Sequence, residues 1–472
     1  MWRRVAGVLP TAAAVLFVLL AYVFFGSAGT LEFRRVVVER TYYGNLAEGF
    51  RRGQLSMFSA AEPEILRLEN PYELKQREGL QYLWDASLYN GRYYLYFSPV
   101  PILLFVLPFR VVSGGYPSDE LSAVFFCAWA FLASVAFAWR ALRHVERRHL
   151  PFPLWVLLIG TGSLLPWVIV EVRVYEVASA CLTAMAATWA FTLLRFLERP
   201  TVRTAAWMGL FLALTIAAKP NMIVLLVVAA AAIWKQRRKL AVAAFVPVLA
   251  IGSAYAIYNY ARFGSPAETG MTYQLTLVPM KNYSPCRLCT ASDASRFFNT
   301  LLQYLSLPPK FVSDFPFVDL RWNDVDKNIS FPATPEQVGG IAAITPLTMV
   351  GTALIALLFL ARRTSGAPAR TAMLLMAAAW LVLLTLSTCL WLTARYSLDY
   401  WGLMLLASVI AIEQGLTFLR EMDVSIRPLR ALIALLACYS IVTGLLLGFS
   451  GRWGAFKRQN PELFSRIEQS LR

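Results

Sequence analysis

The hydrophobic positions of the chain fall into long runs that are separated by short polar stretches. Residues 5–25, 124–139, 224–234 and 432–447 contain no charged side chain. Several such runs approach the roughly 20 residues that a helix needs to cross the hydrocarbon core of a bilayer. The pattern therefore predicts membrane-spanning helices that are joined by short loops.

The composition agrees with this pattern. Of the 472 residues, 58% are hydrophobic and only 15% are charged. A soluble domain of this size could not bury so much apolar surface, so a soluble multidomain enzyme is excluded. The first apolar run follows Arg3 and Arg4, as in a signal peptide, but it is long and lacks a convincing small-x-small cleavage site with a soluble domain behind it. We expect it to be retained as the first helix.

The positive charges lie mainly in short loops between apolar runs. Lys and Arg number 44 against 28 Asp and Glu, and cytoplasmic loops of membrane proteins carry such an excess. The basic balance therefore indicates membrane topology, and no nucleic-acid partner is expected. The five clusters are Arg140, Arg143, Arg147 and Arg148; Arg195, Arg199 and Arg203; Lys235, Arg237, Arg238 and Lys239; Arg362, Arg363 and Arg370; and Arg420, Arg427 and Arg430.

Placing these clusters and the N-terminus inside predicts an all-α polytopic membrane protein with about eleven transmembrane helices. Run 101–112 is short for a crossing, so we expect it at the interface, while a tilted span would give about twelve helices. Residues 1–258 then form a transmembrane module, residues 259–338 an outer loop, and residues 339–472 the last helices and an outer tail. The predicted outer segments are 29–119, 171–176, 219–221, 260–337, 393–400 and the C-terminal tail.

The first outer segment, residues 29–119, carries an acid near its start. Glu39 precedes Ala47-x-Gly49, which predicts a short helix outside the membrane with Glu39 at its beginning and Gly49 at its end. A helix dipole favours the ionised form of a carboxylate at that position.

Further along, residues 84–101 are dense in aromatic side chains, and Asn90-Gly91 predicts a tight turn. An aromatic belt at the membrane interface would explain the tyrosines, but it has no need of Asp85 or Asn90. Substrate binding is the other explanation. Its candidates are Asp85, Tyr89, Asn90, Arg92, Tyr93 and Tyr94.

The next outer turn reads Glu171, Val172, Arg173, Val174, Tyr175, Glu176 between two apolar runs. Ionisable residues this close to the hydrocarbon are costly and usually functional. The alternative is a structural ion pair of one acid with Arg173, which would leave the other acid free.

This arrangement resembles the GT-C fold membrane glycosyltransferases, such as protein mannosyltransferases, the lipid A aminoarabinose transferase and lipopolysaccharide sugar transferases. Glu39 matches the first acid of that family, and Glu171 or Glu176 the second. Residues 91–101 match a Gly-Tyr-Tyr and proline stretch. The resemblance covers roughly residues 1–258. The chain departs from the pattern where the family has Asp, or Asp-Glu, at the first acid, and His or Lys before the double proline.

The resemblance implies inverting transfer of a sugar from a polyprenyl-phosphate carrier to a glycan, lipid or protein acceptor on the outer face. Glu39 would be the general base, and the phosphate would leave without a protein acid. Glu176 or Glu171 would orient the acceptor or share that role.

A leaving phosphate needs cationic neighbours. Lys219 either binds this phosphate or snorkels to the interface. Arg395, in Arg395-Tyr396-x-x-Asp399, resembles a family motif, but its spacing to Asp399 also suits an ion pair. The candidate cations are Arg92, Arg173, Lys219, Arg262 and Arg395, and we add Tyr175 and Tyr396 to the substrate-binding set.

The second long outer segment, residues 260–337, contains Cys286 and Cys289, and outside the cytosol a local disulfide is expected for such a pair. Outer acids can hold a divalent cation, but the scattered carboxylates define no metal site and the sequence requires no cofactor.

Three functions compete: a glycosyltransferase, a transporter or flippase for a lipid-linked glycan, and a non-enzymatic assembly protein. A surface-polysaccharide polymerase or ligase overlaps chemically with the first. Charged residues lie mostly at helix ends, which disfavours a transport path. The short Arg-rich loops suit a bacterial inner membrane, with the site on the periplasmic face.

Overall fold

The structure is a computed structural model that describes residues 2–33, 38, 41–143, 145, 148–282, 291–323, 336–389 and 391–471. Most of these residues are helical. The longer helices are α1 (Trp2–Gly26), α5 (Asp119–Leu142), α6 (Phe152–Thr161), α8 (Val174–Glu198), α9 (Val202–Ala218), α10 (Leu225–Ile233), α11 (Arg238–Phe263), α14 (Leu347–Leu360), α15 (Ala367–Leu386), α16 (Leu398–Glu421) and α17 (Arg427–Ser450).

Shorter elements fill the predicted outer segments and join the long helices. They are α2 (Tyr42–Arg51), α3 (Pro63–Leu66), α4 (Leu107–Ser113), α7 (Leu165–Val168), α12 (Ala291–Ser306), α13 (Ile341–Ile344), α18 (Ala455–Gln459) and α19 (Pro461–Ser470). Three antiparallel hairpins pair β1 (Ser87–Tyr89) with β2 (Arg92–Tyr94), β3 (Lys310–Phe311) with β4 (Val318–Asp319), and β5 (Arg321–Trp322) with β6 (Gln337–Val338).

Seven helices of the described part are long and apolar enough to cross a membrane. They support the predicted helical membrane protein, because each reaches the length that a bilayer core requires. Four shorter apolar stretches, Phe152–Val168, Val202–Ala218, Pro220–Ile233 and Leu347–Leu360, would have to span as well to make eleven crossings. The count of eleven therefore stays a prediction.

The centre of the bundle is α8, which is buried along nearly its whole length and packs against α5, α9, α15 and α16. In contrast, α11 packs mainly on α9 and exposes large apolar side chains such as Leu249 and Ile257. Small residues allow the close contacts: a Cβ at Gly209 of α9 would lie 1.8 Å from the carbonyl oxygen of Ala244 on α11. An exposed apolar helix of this kind suits contact with lipid.

Ion pairs join the basic clusters to one another at one end of the bundle. Arg140 Nε lies 2.6 Å from Glu198 Oε2, and Arg363 Nη2 lies 3.5 Å from Glu421 Oε2. At the same end Glu413 accepts hydrogen bonds from Trp155 Nε1 and from two backbone N–H groups that precede α6. A shared basic end is what the positive-inside pattern requires.

The opposite end is covered by the first outer segment. Helix α2 begins after its N-cap Thr41 and continues through Gly49 to Arg51, so the prediction that it ends at Gly49 was wrong. A Cβ at Gly49 would lie 2.2 Å from the Ser56 carbonyl oxygen, and Gly53 adopts the positive φ that follows the helix. Gly49 therefore serves a close backbone approach.

The predicted turn at Asn90-Gly91 is confirmed. Asn90 and Gly91 have φ values of 47° and 73°, as the two central residues of a type I′ hairpin require. The turn joins β1 to β2, with Leu88 opposite Tyr93.

The apolar run after this hairpin forms a π-helix, Ile102–Val106, followed by α4. At 1.5 Å per residue the combined helix Ile102–Ser113 reaches only about 18 Å, short of a bilayer core of roughly 30 Å. Its length agrees with a helix that does not cross, and its place at the interface stays a prediction.

The two long outer segments are joined by main-chain hydrogen bonds. The Asp85 N–H donates to the Leu275 carbonyl (3.0 Å), and the Leu275 N–H donates to the Ala86 carbonyl (2.9 Å). Ser87 Oγ donates to the Gly270 carbonyl at 2.8 Å. Residues 85–87 and 270–275 thus form one connected body above the helix ends.

Candidate functional site

Several helix ends converge on the end of the bundle that the outer segments cover. Helices α5, α8 and α16 begin there, and α9 and α17 end there. The first turns of the three starting helices carry Asp119, Glu176 and Asp399. Helix N-termini bear a partial positive charge, so acids and other anions are stabilised at this position.

Two arginines and two glutamates form the core of the site, which we call the arginine cluster: Glu176, Glu336, Arg395 and Arg452. Arg452 Nη2 lies 2.6 Å from Glu336 Oε1, and Arg395 Nη1 lies 3.4 Å from the same oxygen. Glu176 Oε1 lies 4.0 Å from an Nη1 atom of each arginine. All four residues are buried.

The arginine cluster leaves polar atoms without a partner. Arg395 Nε, Arg452 Nε, Arg452 Nη1 and Glu336 Oε2 are buried and make no hydrogen bond among the described residues. Unsatisfied buried polar atoms are costly and mark places where a further ligand can bind. Guanidinium groups suit phosphate oxygens because their donors form a planar fork.

Glu176 is fixed from two sides. Its Oε2 accepts the Arg173 backbone N–H at 2.9 Å, which closes a capping box at the start of α8. With Oε1 facing the two arginines, both of its oxygens have neighbours. This geometry favours a positioning role for Glu176 over proton abstraction.

Glu171 lies at the rim of the site. It forms the structural ion pair with Arg173 that the sequence suggested as one alternative. Its oxygens lie 2.8 Å from Arg173 Nη2 and 2.6 Å from Arg458 Nη2. Arg173 also lies over the ring of Trp453, 5.4 Å from its centroid. The contacts of Glu171 are those of a structural ion-pair network.

Lys219 does not snorkel. Its Nζ lies 2.7 Å from Asp399 Oδ1 and donates to Ser179 Oγ at 2.9 Å, and the side chain is buried. Asn221 Nδ2 donates to the second Asp399 oxygen at 3.2 Å. Asp399 therefore pairs with Lys219, and the alternative of an Arg395–Asp399 ion pair was wrong.

Tyrosines surround the cationic groups. The Arg395 guanidinium lies 4.5 Å from the ring centroid of Tyr175 and 5.6 Å from that of Tyr396. Lys219 Nζ lies 5.2 Å from the ring centroid of Tyr396. These cation–π contacts hold the positive charges in place within a buried setting.

Asp85 faces this region from the outer body. It is buried, adopts a positive φ of 59°, and accepts a hydrogen bond from Gln274 Nε2 at 3.1 Å. Burial raises the pKa of its carboxyl, and hydrogen bonding to Thr276 and the charge of Arg395 offset part of that rise. A strained backbone at a buried acid is typical of functional sites.

The structure thus brings together Glu176, Tyr175, Lys219, Arg395 and Tyr396, with Asp85 above them, from the residues that the sequence singled out. The hairpin residues have other neighbours. Tyr89 and Tyr94 pack on Phe263, at ring-centroid distances of 5.6 and 5.2 Å, and Tyr93 donates to Glu62. Asn90 and Arg92 are exposed at the hairpin turn.

Arg262 lies in the last turn of α11 and contacts the first outer segment. Its Nη1 donates to the Leu95 carbonyl at 2.8 Å, its Nη2 donates to Asn259 Oδ1 at 2.7 Å, and its guanidinium lies 3.9 Å from the Tyr258 ring centroid. These contacts join α11 to the first outer segment. They hold the two Nη atoms of Arg262 in protein contacts, while its buried Nε makes no hydrogen bond among the described residues.

Three predicted site residues, Glu39, Cys286 and Cys289, lie outside the described residues, so the general base and the disulfide stay predictions. Thr41, two positions after Glu39, donates its hydroxyl to Asp119 Oδ1 at 2.5 Å. That contact joins the start of α2 to the start of α5.

Sequence reasoning missed Glu336, Arg452 and Asp119. Arg452 lies between Gly451 and Gly454, both of which have positive φ, and this glycine pair at the end of an apolar run was the available signal. Asp119 follows the N-cap Ser118, a pattern that marks a helix start. Nothing in the sequence near Glu336 indicates its partners.

No group of three His, Cys, Asp or Glu side chains suited to a metal ion occurs in the described part of the chain. No protein-family model matches the sequence, and no curated protein matches it either.

Proposed function

We propose that the protein is a membrane glycosyltransferase that moves a sugar from a polyprenyl-phosphate donor to an acceptor at the end of the bundle covered by the outer segments. The observation that carries the proposal is the arginine cluster with its unpartnered N–H groups. A phosphate diester offers the anionic oxygens that two adjacent guanidinium groups can bind.

The helix ends around the cluster, rather than its net charge, support an anionic ligand. Arg395 and Arg452 are balanced by Glu176 and Glu336, so the four side chains are close to neutral as a group. The N-termini of α5, α8 and α16 add partial positive charge from the helix dipoles. A leaving phosphate that gains negative charge during transfer is stabilised by such a preorganised environment.

In the proposed reaction Glu39 acts as the general base. It takes the proton from the acceptor hydroxyl while that oxygen attacks the anomeric carbon and the carrier phosphate leaves with the bonding electron pair. Attack from the face opposite the phosphate inverts the anomeric carbon. Glu176 then serves to orient Arg395 and Arg452.

A transport path is less well supported. Among the described residues, the buried ion pairs of the arginine cluster and of Lys219–Asp399 lie at one end of the bundle, and the half-buried pair Arg140–Glu198 lies at the other. A transporter needs polar groups near the middle of the membrane.

The test is transfer of radiolabelled sugar from a panel of polyprenyl-phosphate donors by the purified protein. Glu39→Gln should abolish transfer, because the amide cannot accept the proton. Glu32→Gln, an exposed acid of the same outer segment, is the matched control and should transfer as wild type does. Unchanged transfer by Glu39→Gln would refute the base assignment, and no turnover of any donor by wild type would refute the substrate class.

A second pair of variants tests the cluster. Arg452→Lys keeps the charge but loses the planar fork, so the donor KM should rise by roughly tenfold or more while the thermal stability stays near that of wild type. Arg458→Lys, at the exposed rim, is the control. An unchanged donor KM in Arg452→Lys would remove the observation on which the proposal rests.

A further inference from the structure

A buried arginine of the first outer segment forms no ion pair with any described residue, and the Asp85 carboxylate acts on its charge only from a longer distance. Arg77 ends the 3-10 helix Leu74–Arg77 and is 1% exposed. Its Nη2 donates to the Thr276 carbonyl, whereas its Nε and Nη1 make no hydrogen bond in the described part of the chain. No carboxylate among the described residues lies within ion-pair distance of Arg77. Arginine is almost never fully buried unless it is paired.

Two aromatic rings cover this arginine. The Arg77 guanidinium carbon lies 4.7 Å from the ring centroid of Tyr82 and 5.8 Å from that of Trp84. The two rings lie 6.0 Å apart at an angle of 36°, and Trp84 is 40% exposed. An exposed indole ring offers a flat apolar surface with a polar N–H at its edge, which suits the C–H face and the hydroxyl groups of a sugar ring.

Arg77, Tyr82 and Trp84 lie beside the candidate site. Asp85 is the next residue after Trp84. Burial raises the pKa of its carboxyl, and the charge of Arg395 offsets part of that rise. Tyr42, the first residue of α2, donates its hydroxyl to the Trp84 carbonyl. A saccharide on Trp84 would therefore lie next to the acid that faces the arginine cluster.

A purely structural role explains only part of the arrangement. The bond from Nη2 to Thr276 joins the two outer segments, and one neutral donor would be enough for that contact. Tyr82 and the more distant Asp85 act on the Arg77 charge, and the Nε and Nη1 donors, which make no hydrogen bond among the described residues, match the oxygens of a carboxylate or phosphate group.

We propose that Arg77, Tyr82 and Trp84 form an acceptor subsite for a saccharide that carries an acidic group, with the sugar ring on Trp84 and the acidic group on Arg77. The subsite rests on the proposed function for the role of the bound sugar as acceptor. Because Nε and Nη1 are covered by the rings, the Trp84 side chain has to turn outward when the acidic group enters.

The test is binding without a donor, so it is independent of transfer activity. The full chain in lipid nanodiscs is titrated with an oligogalacturonate and with a neutral malto-oligosaccharide of the same length. The acidic probe should bind at least about tenfold more tightly than the neutral one, since the difference is a charge-assisted hydrogen bond. Added salt should reduce this preference.

Variants separate the two parts of the subsite. Arg77→Gln should bring binding of the acidic probe down to that of the neutral probe, while Arg77→Lys should keep part of the preference and guard against a folding defect. Trp84→Ala should weaken both probes. Trp322→Ala, an exposed tryptophan of the second outer segment, is the control and should bind as wild type does.

Equal binding of the two probes by wild type, or unchanged binding in Arg77→Gln and Trp84→Ala, would overturn the subsite. If the variants lose binding of the acidic probe while no donor supports transfer, the subsite stands and the glycosyltransferase proposal fails. If transfer occurs but its acceptor KM is unchanged in both variants, the glycosyltransferase proposal stands and the subsite fails.

Discussion

Removing the charge of Asp399 should destabilise the bundle strongly. Its Oδ1 lies 2.7 Å from Lys219 Nζ, and the two side chains are 1% and 11% exposed. Asp399→Asn leaves the Lys219 ammonium group buried without a counter-ion. Breaking a buried ion pair from one side costs about 3 to 5 kcal/mol, so the free energy of unfolding should fall by that amount.

The matched control is Arg51→Gln, which breaks a surface pair. Arg51 Nη1 lies 2.8 Å from Glu48 Oε2, but the Arg51 side chain is 47% exposed. Solvent screening leaves such an exposed pair with little effect on the free energy of unfolding. The two substitutions thus remove ion pairs of similar length in different surroundings.

The assay is a titration with SDS in which a maleimide dye labels Cys127 and Cys181. Both thiols are buried and become reactive when the bundle opens. The double variant Lys219→Met with Asp399→Asn removes both charges and should regain at least half of the loss, since replacing a whole buried pair is far less costly than breaking it.

An Asp399→Asn variant that is as stable as Arg51→Gln would refute the burial argument. A double variant that is no better than Asp399→Asn would refute the pairing. If the double variant regains stability but not sugar transfer, Lys219 has a role beyond the pair, as its predicted phosphate contact requires.

Further perturbations test helix packing, the Asp85 carboxyl and the hairpin turn. Gly209→Ala forces a Cβ to 1.8 Å from the Ala244 carbonyl oxygen, so the free energy of unfolding in the same titration should fall by at least about 3 kcal/mol. Gly252→Ala on α11, whose Cβ would have no atom within 4 Å, is the control and should leave the free energy of unfolding unchanged. Burial raises the pKa of Asp85, so the stability tied to its protonated form is full below the unfolded value of about 3.9 and is lost as the pH rises through the folded pKa. Asp85→Asn should therefore gain stability relative to wild type as the pH rises from about 4 to 8. If the Tm of the variant minus the Tm of wild type falls over this range, the burial argument is contradicted. Gly91→Ala places a side chain at φ 73° and should cost about 1 to 2 kcal/mol; equal stability would contradict the left-handed turn.

The sequence predicted features that depend on local pattern. Apolar runs and loop charges gave the long helices and the basic clusters, and the Asn90-Gly91 dipeptide gave a turn whose geometry depends on two residues alone. Gly49 shows the limit of local rules, because its small size serves a contact with Ser56 and not the end of α2.

The arginine cluster lay beyond such rules. Glu176, Glu336, Arg395 and Arg452 come from four separate parts of the chain, and hydropathy does not say which helix ends adjoin. Lys219 and Asp399 illustrate the same limit, since each has a plausible neighbour in sequence but pairs across 180 positions. Long-range pairing depends on how α8, α9 and α16 pack.

The joining of the two outer segments has a consequence for biosynthesis. Arg77 reaches its Thr276 partner across 199 positions, and Arg452 follows the last long helix of the described chain. At a synthesis rate of about 5 to 20 residues per second, the first outer segment waits at least about ten seconds for the segment that contains Thr276, and longer for Arg452. During that interval the buried charges of the nascent chain lack their partners, so the growing protein is exposed to quality-control proteases and to membrane chaperones until Arg452 has been synthesised.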